Sequence, residues 1–408
     1  MNPSLPDRVR ALGVRVAGTE SPGWSTVGTL TRGSQYAFVY REDAVAPVSL
    51  LMPATDGAFV DGDLFAAMDM NLPEGFLFQH LVERFPKQRL TKMHLLWLMA
   101  DGGVGRLGYA VPDAPTPRAL PTVDVRALRD SSAGATLFPE LVDAYLGVGS
   151  ALSGVQPKIM VPTRATVPTP TLIVKLEGQR YPGLSANEWT CLTAARLAGI
   201  QTPQFDLSAD GTLLLLERFD VTETGGRLGF EDAAALMDLR VHDRLSARKY
   251  VGSYEDVARL LAHVTTEPDR ALAEFFGQVV LTVLVRNGDG HLKNVGCLYD
   301  SRRVWLAPVY DVVTTVLYAY ERPDGSTDID RTMALKLRVG DRHRRYPRRT
   351  ELLRFGSEVC RVRKPEAVLE RVIAGMHDAL WEAGKDERIP RELNARMAAV
   401  WQESIATL

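Results

Sequence analysis

The sequence predicts an α+β fold, with β-rich segments toward the front of the chain and a mainly helical remainder. Three observations carry that prediction. Short apolar runs punctuated by Gly and Ser recur between residues 26 and 112. Residues 158–219 read as strand, strand, helix, strand. Beyond them, apolar residues recur at i, i+3 and i+4 over long stretches.

At 408 residues the chain exceeds one ordinary core, so two or three domains or subdomains are expected. Its apolar fraction of 46% and charged fraction of 24% are those of a globular protein and argue against disorder or a fibrous architecture. Lys plus Arg number 48 against 50 Asp plus Glu, so the molecule as a whole is no electrostatic binder of nucleic acid, while a local basic patch stays open. Cys191, Cys297 and Cys360 form no CxxC pair, which argues against a disulfide-stapled or zinc-ribbon protein. Met1–Gly18 lacks the apolar core of a signal peptide. The apolar helical stretch Val279–Val285 is far shorter than the roughly 20 residues that cross a bilayer. A cytoplasmic enzyme or regulator without a membrane partner is expected.

Along the chain, Thr26–Leu30, Tyr36–Tyr40 and Val48–Met52 read as strands. Leu64–Phe85 is amphipathic but broken at Leu72-Pro73-Glu74-Gly75, because proline removes a donor and glycine relaxes φ. Leu95–Met99 continues as helix and Val104–Val111 as strand, and the Pro-rich connector Val111–Thr122 marks a domain boundary. Lys158–Val161, Leu172–Lys175 and Leu213–Phe219 are strands, with a helix at Asn187–Leu197 between the last two. A buried helix is predicted from about Asp269 to Arg286, where Leu272, Phe275, Phe276, Val279, Val280, Val283 and Leu284 form one stripe. It ends at the turn signal Asn287-Gly288-Asp289-Gly290. Helices near Pro365–Glu382 and Arg391–Ile405 close the chain.

The chemistry concentrates in Asn287–Asn294, a polar loop between that helix and an expected hairpin, Val295–Leu298 with Arg303–Leu306. Asp289 and Asn294 match the D-x-x-x-x-N spacing of kinase catalytic loops, in which a carboxylate meets the acceptor hydroxyl and an amide oxygen reaches a metal on the phosphates. Asp311, beyond the hairpin, would complete Mg²⁺ coordination. Read alone, Asn-Gly-Asp-Gly is also an ordinary turn. Gly147–Gly154 is Gly-rich and could cradle phosphates, although it lacks the Lys-Ser/Thr of a Walker A loop and also reads as a surface loop. Lys175 at a strand end could bind phosphates with Glu188 orienting it, or simply snorkel. Glu217-Arg218-Phe219 stands where a hinge would meet adenine. The seven histidines show no zinc-binding spacing, and the run Arg342–Arg349 reads as a solvated loop, with nucleic-acid contact the lesser reading.

Together these motifs resemble the HipA family of serine/threonine kinase toxins. Ser153-Gly154-Val155-Gln156-Pro157-Lys158 is similar to its S/T-G-x-Q-x-K loop, Asn287–Asn294 to its N-x-D-G-H-x-K-N catalytic loop, and Pro308–Asp311 to its metal-binding segment. Thr171–Leu176, Asn187–Trp189 and Glu217–Asp220 fit in order, as do Val27-Gly28-x-Leu30, Leu72–Gly75 and Gly103–Gly105 of the front section. The likeness runs from about residue 25 to 385.

The resemblance implies a bilobal protein-kinase-like fold: a β-rich N-terminal subdomain at 1–115, a β-rich N-lobe at 116–220 and a mainly helical C-lobe at 221–408. It implies ATP and Mg²⁺ as cofactors, with Asp289 as the catalytic Asp and Asn294 and Asp311 as metal ligands. Lys175, His291 and Lys293 would contact phosphates near Tyr310, with Glu217 and Phe219 at the hinge. Ser153, Gly154, Gln156 and Lys158 would belong to the loop that covers ATP. Family members autophosphorylate a serine in that loop. Here the familiar position falls on Ala151, leaving Ser153, and with an offset of one Ser150, as candidates. The family further implies a protein substrate such as an aminoacyl-tRNA synthetase, a HipB-like helix-turn-helix antitoxin, and contact with DNA only through that partner. Two alternatives stay open: a kinase of the same fold with a lipid or small-molecule acceptor, and a non-catalytic co-repressor.

Overall fold

The computed structural model of the chain describes residues 5–54, 57–110, 122–134, 136–138, 158–161, 163, 171–178, 180–321 and 325–408. The polypeptide forms two compact units. One comprises Met1–Leu176, Leu215–Arg248 and Leu298–Arg302; the other comprises Glu177–Leu214, Lys249–Cys297 and Arg303–Leu408.

The first unit is built on a five-stranded antiparallel sheet of order β4-β3-β2-β1-β5, from β1 (Ala11–Ala17), β2 (Trp24–Arg32), β3 (Tyr36–Tyr40), β4 (Ala58–Asp61) and β5 (Leu107–Ala110). β1 buries Leu12, Val14 and Val16 on alternate positions, the period of a strand with one face in a core. It pairs Leu12 with Leu30 and Val14 with Gly28, where a Cβ would overlap the Val39 carbonyl and the Phe38 ring. Helices α1 (Gly75–Arg84) and α2 (Lys92–Met99) complete this layer, with Phe38, Leu64, Met68, Leu72, Met93 and Leu96 in the shared core. α2 opens with a capping box: Thr91 Oγ1 accepts from His94 N (3.4 Å) and His94 Nδ1 accepts from Thr91 N (3.1 Å).

The expected strand at Val48–Met52 is instead a tight turn with a single bridge, Ser49 to Met52. Pro47 and Pro53 deny the flanks backbone donors, and within the turn Ser49 Oγ (2.7 Å) and Leu50 N (2.8 Å) donate to the buried Glu231 carboxylate, Val48 N to Tyr40 Oη (2.7 Å), and Leu51 N and Met52 N back to Ser49 Oγ (3.0 Å) and O (3.1 Å). β1, by contrast, lies ahead of every strand expected from the sequence. Two more strands, β6 (Lys158–Val161) and β7 (Leu172–Leu176), pair antiparallel with Lys158 directly opposite Lys175, and Leu215–Glu217 lies beside β7.

The second unit is helical. Its main elements are α3 (Leu184–Leu197), α4 (Tyr254–Val264), α5 (Pro268–Leu284), α6 (Pro365–Lys385) and α7 (Arg391–Thr407). α5 begins with proline at its first position, where no backbone donor is needed, and buries Leu272, Phe275, Phe276, Val279, Val280, Val283 and Leu284. α3 and α6 approach so closely that a Cβ at Gly375 would sit 2.7 Å from the Ala194 carbonyl oxygen. The α+β class expected from the sequence is therefore the class found. Among the described residues no helix is long and apolar enough to cross a membrane.

Candidate active site

The loop that follows α5 is set by how that helix ends. Arg286 takes φ +57°, the left-handed conformation usually left to glycine. Asn287 N then donates to Thr282 O (3.0 Å) and Arg286 N to Val283 O (3.3 Å), a Schellman closure that turns the chain sharply out of the helix. The next eight residues hold themselves together. Asn287, 2% exposed, accepts from Asp289 N through Oδ1 (3.1 Å). His291 N donates to Asp289 O (2.8 Å), and Asn294 donates to His291 O from its backbone (2.9 Å) and to Asp289 O from Nδ2 (2.8 Å).

Longer-range contacts then fix the loop to the helical unit. Thr315 Oγ1 accepts from Gly288 N (2.7 Å) and donates to Arg286 O (2.9 Å). Tyr254 Oη, at the start of α4, donates to Gly290 O (2.8 Å). Space is short at both glycines: a Cβ on Gly288 would lie 2.8 Å from the Thr332 backbone oxygen, and one on Gly290 would crowd Tyr254 Oη at 3.0 Å. Tyr310 Oη donates to Lys293 O (2.7 Å), tying the Pro308–Asp311 segment to the loop. Asp311 itself has φ +50°, a sparsely populated conformation for a carboxylate residue. Three residues on, Asn187 of α3 grips Thr314 from both sides, with Nδ2 donating to its carbonyl (3.1 Å) and Oδ1 accepting from its N–H (2.8 Å), and Trp401 Nε1 donates to Thr314 Oγ1 (2.9 Å).

The result places an Asp and a His side by side in contrasting environments. The Asp289 side chain is 50% exposed and carries its Oδ1 3.7 Å from Nε2 of His291, whose side chain is 7% exposed. Burial lowers the His291 pKa from 6.5 to about 4, against the opposing pull of the Asp289 charge, so the imidazole is neutral at pH 7. Its Nδ1 is buried and has no hydrogen-bond partner among the described residues. Such an atom suits a phosphate oxygen, which would supply the missing partner. Among the described residues no three His, Cys, Asp or Glu side chains gather as a metal site. A cation here would take the Asn294 amide oxygen, the Asp311 carboxylate and oxygens from outside the protein, a donor set that suits Mg²⁺ on phosphates.

Asp289, His291 and Asn294 are thus joined by direct contacts in the second unit, and Tyr310 is joined to Lys293 of the same loop, with Asp311 next to Tyr310 in the chain. Lys158, Lys175, Glu217 and Phe219 belong to the first unit. There Lys175 is 2% exposed and stands opposite Lys158 in the register of the β6–β7 ladder. Glu217 is exposed, and the Phe219 ring lies 5.6 Å from that of Phe230. On either side of Phe219 in sequence, Arg218 and Asp220 form a buried ion pair (2.5 Å), and Asp220 Oδ2 accepts from Gly105 N (2.6 Å). Ser150, Ser153, Gly154 and Gln156 lie outside the described residues. In the basic run, Arg345 pairs with Glu351 and Arg344 donates to Ala334 O (3.2 Å).

Sequence reasoning passed over Tyr250, whose hydroxyl donates to Asp289 Oδ1 at 2.6 Å, and with it Tyr254 and Thr315. The one available signal was Ser253-x-x-Asp256, a capping box that marks the start of α4 and so the face carrying Tyr254.

The family model described as the HipA-like C-terminal domain matches residues 150–381, more than half of the chain, and that of the HipA N-terminal domain matches residues 23–110. Two proteins of Sinorhizobium fredii (strain NBRC 101917 / NGR234) are similar in sequence. "Putative kinase Y4dM" is 29% identical over 82% of this chain and 79% of its own length. "Putative kinase Y4mE" is 27% identical over 69% and 63%. Among solved structures, HipA in the Shewanella oneidensis MR-1 complex with HipB and operator DNA superposes with a TM-score of 0.67 at 18% identity, covering 96% of each chain, which is a likeness of fold.

Proposed function

From the premise that this chain belongs to the HipA family, with both of its domains represented, we propose that it is a Mg-ATP-dependent serine/threonine protein kinase. The observation that carries this reading is the pairing, on one immobilised loop, of a half-exposed carboxylate with a buried neutral imidazole whose Nδ1 lacks a partner among the described residues. The carboxylate can align an acceptor hydroxyl and take its proton, while the imidazole can hold a phosphate oxygen.

Asp289 is the catalytic carboxylate in this reading. Asn294 and Asp311 hold Mg²⁺, which when bound would neutralise charge on the transferring phosphoryl group. His291, Lys293, Lys158 and Lys175 contact phosphates, Glu188 orients Lys175, and Glu217 and Phe219 receive adenine. Residues 150–158 cover the nucleotide, with Ser153 or Ser150 as the autophosphorylated position. The proposed division is an N-terminal subdomain at 1–115, an N-lobe at 116–220 and a C-lobe at 221–408. The catalytic contribution is mainly positioning and electrostatic stabilisation, since phosphoryl transfer leaves little covalent chemistry to the protein.

The solved neighbour is a toxin in complex with HipB and operator DNA. By that analogy this chain acts as a toxin, pairs with a HipB-like helix-turn-helix antitoxin, and meets DNA through it. Its acceptor would be a cytoplasmic protein, of which an aminoacyl-tRNA synthetase is the family example.

Incubation with Mg-ATP, followed by intact mass and peptide mapping beside Asp289→Asn, tests the reading. Phosphate on Ser153 or Ser150 that is missing from the variant is the expected result. No phosphate, together with no thermal stabilisation by Mg-ATP, would leave a non-catalytic co-repressor as the better account.

A further inference from the structure

The hydroxyl of Tyr250 takes no part in the scheme above, yet it makes a direct hydrogen bond to the carboxylate on which that scheme turns. We propose that Tyr250 is a positioning residue: it holds Asp289 Oδ1, so that Oδ2 is the oxygen left to receive the proton of the acceptor hydroxyl. The proposal rests on the kinase reading and assigns within it the side chain that orients the base.

The need for such a residue follows from the loop. Asp289 is half exposed, and the terminal torsion of an aspartate is broad, so its carboxylate would turn freely in water. Backbone contacts within the loop fix the Asp289 main chain and leave its side chain unconstrained. Tyr250 Oη supplies the constraint at 2.6 Å, within the range of a charge-assisted bond.

Tyr250 is itself well anchored. Its ring meets His291 edge-on, with centroids 5.1 Å apart and planes at 79°, and the Lys249 ammonium lies 5.4 Å from its centre. Two residues later Gly252, at φ +90°, turns the chain into the Ser253–Asp256 capping box of α4, and Tyr254 N donates to Lys336 O (2.9 Å). The phenol therefore projects from a held backbone with only two side-chain torsions to fix. Burial, and then the Asp289 charge, raise its pKa well above the usual 10, while Arg344 acts the other way and Asp330 adds to the rise. Across the working range of pH the hydroxyl is thus a donor and never competes for the proton Asp289 must take. A water molecule could make the same bond, but it would have to be immobilised at each turnover and would carry no directional preference.

The test is Tyr250→Phe in the full chain, read by the initial rate of ADP release from Mg-ATP, with ATP affinity and melting temperature measured in parallel. Phenylalanine keeps the ring against His291 and removes only the hydroxyl. The expected result is a fall in kcat of about tenfold to a hundredfold, the range for losing one hydrogen bond to a charged group. KM for ATP and the melting temperature should stay close to those of the native chain. In an Asp289→Asn background the same change should have no further effect. An undiminished kcat would overturn the proposal. So would a joint loss of kcat, ATP affinity and melting temperature, which would mark a structural role. Phosphate mapped to Tyr250 itself would overturn it too, because the hydroxyl would then be the acceptor. If the native chain neither releases ADP from Mg-ATP nor is stabilised by it, the kinase reading fails and the proposal with it.

Discussion

Asn187→Ala tests what fixes the segment beyond Asp311. Asn187 is fully buried on α3, and its amide closes two hydrogen bonds on the backbone of Thr314. Alanine removes both at once and leaves a donor and an acceptor in an interior that Cys191 and Trp401 also line. Each orphaned backbone group costs about 1–3 kcal/mol. The emptied volume adds a smaller cavity penalty, so a total of about 3–5 kcal/mol is expected. Equilibrium urea denaturation followed by circular dichroism measures it, and the rate of phosphate transfer from Mg-ATP reports whether the displaced segment carries Asp311 with it. Asn187→Asp sharpens the comparison. It keeps an acceptor for Thr314 N but sets a carboxylate against the Thr314 carbonyl, so it should be about as damaging at neutral pH and milder once protonated. A loss below about 1 kcal/mol for the alanine variant would refute the reasoning, because it would mean that water enters and satisfies Thr314.

Two further outcomes follow from the loop. Gly288→Ala drives a Cβ to 2.8 Å from Thr332 O and 3.0 Å from Thr315 Oγ1, while Gly33 has nothing within 4 Å of that position. Gly288→Ala should therefore cost about 1–3 kcal/mol and most of the activity, with Gly33→Ala near neutral in the same urea titration. The pH dependence of stability should carry a His291 contribution. Its folded pKa of about 4 lies below the unfolded 6.5, so between these values the unfolded chain binds more protons and stability falls as pH falls. The full contribution, about 3 kcal/mol, is present above pH 6.5 and gone below about 4. In metal-free buffer, His291→Gln should flatten that part of the profile; an unchanged slope would show that His291 protonates freely when folded.

The features legible in the sequence were those encoded over short separations. α5 announces itself by an unbroken apolar stripe, and the polar loop after it by turn residues that bond to one another within a few positions. β1 was equally local, since Leu12, Val14 and Val16 alternate, but arginines interleave the run, and the segment was weighed only as a targeting signal. Val48–Met52 failed for the opposite reason. It is apolar enough for a strand, but its Ser49 hydroxyl and Leu50 N–H are claimed by Glu231, which lies 182 and 181 positions away. Tyr250 could not be linked to Asp289 from the sequence, because the bond spans 39 residues and a tyrosine two positions before a glycine looks like any other. The Asn187 grip on Thr314 spans 127. Motif likeness reached Asn187 at one end but stopped at Asp311, three residues short of Thr314.

The same division of contacts has a kinetic side. The bonds among Asn287, Asp289, His291 and Asn294 close over at most five residues and need little beyond the end of α5, so their loop-closure entropy is small. Those that aim the loop, from Thr315, Tyr254 and Asn187, close over 27, 36 and 127 residues. Local turns form early and cheaply, whereas distant pairings await the docking of α3 and α4. The loop would thus take its shape before it takes its aim. Substitutions in the first set would act on the rate of folding, and those in the second on the rate of unfolding, so that the lifetime of a competent site is governed by residues that never touch a substrate.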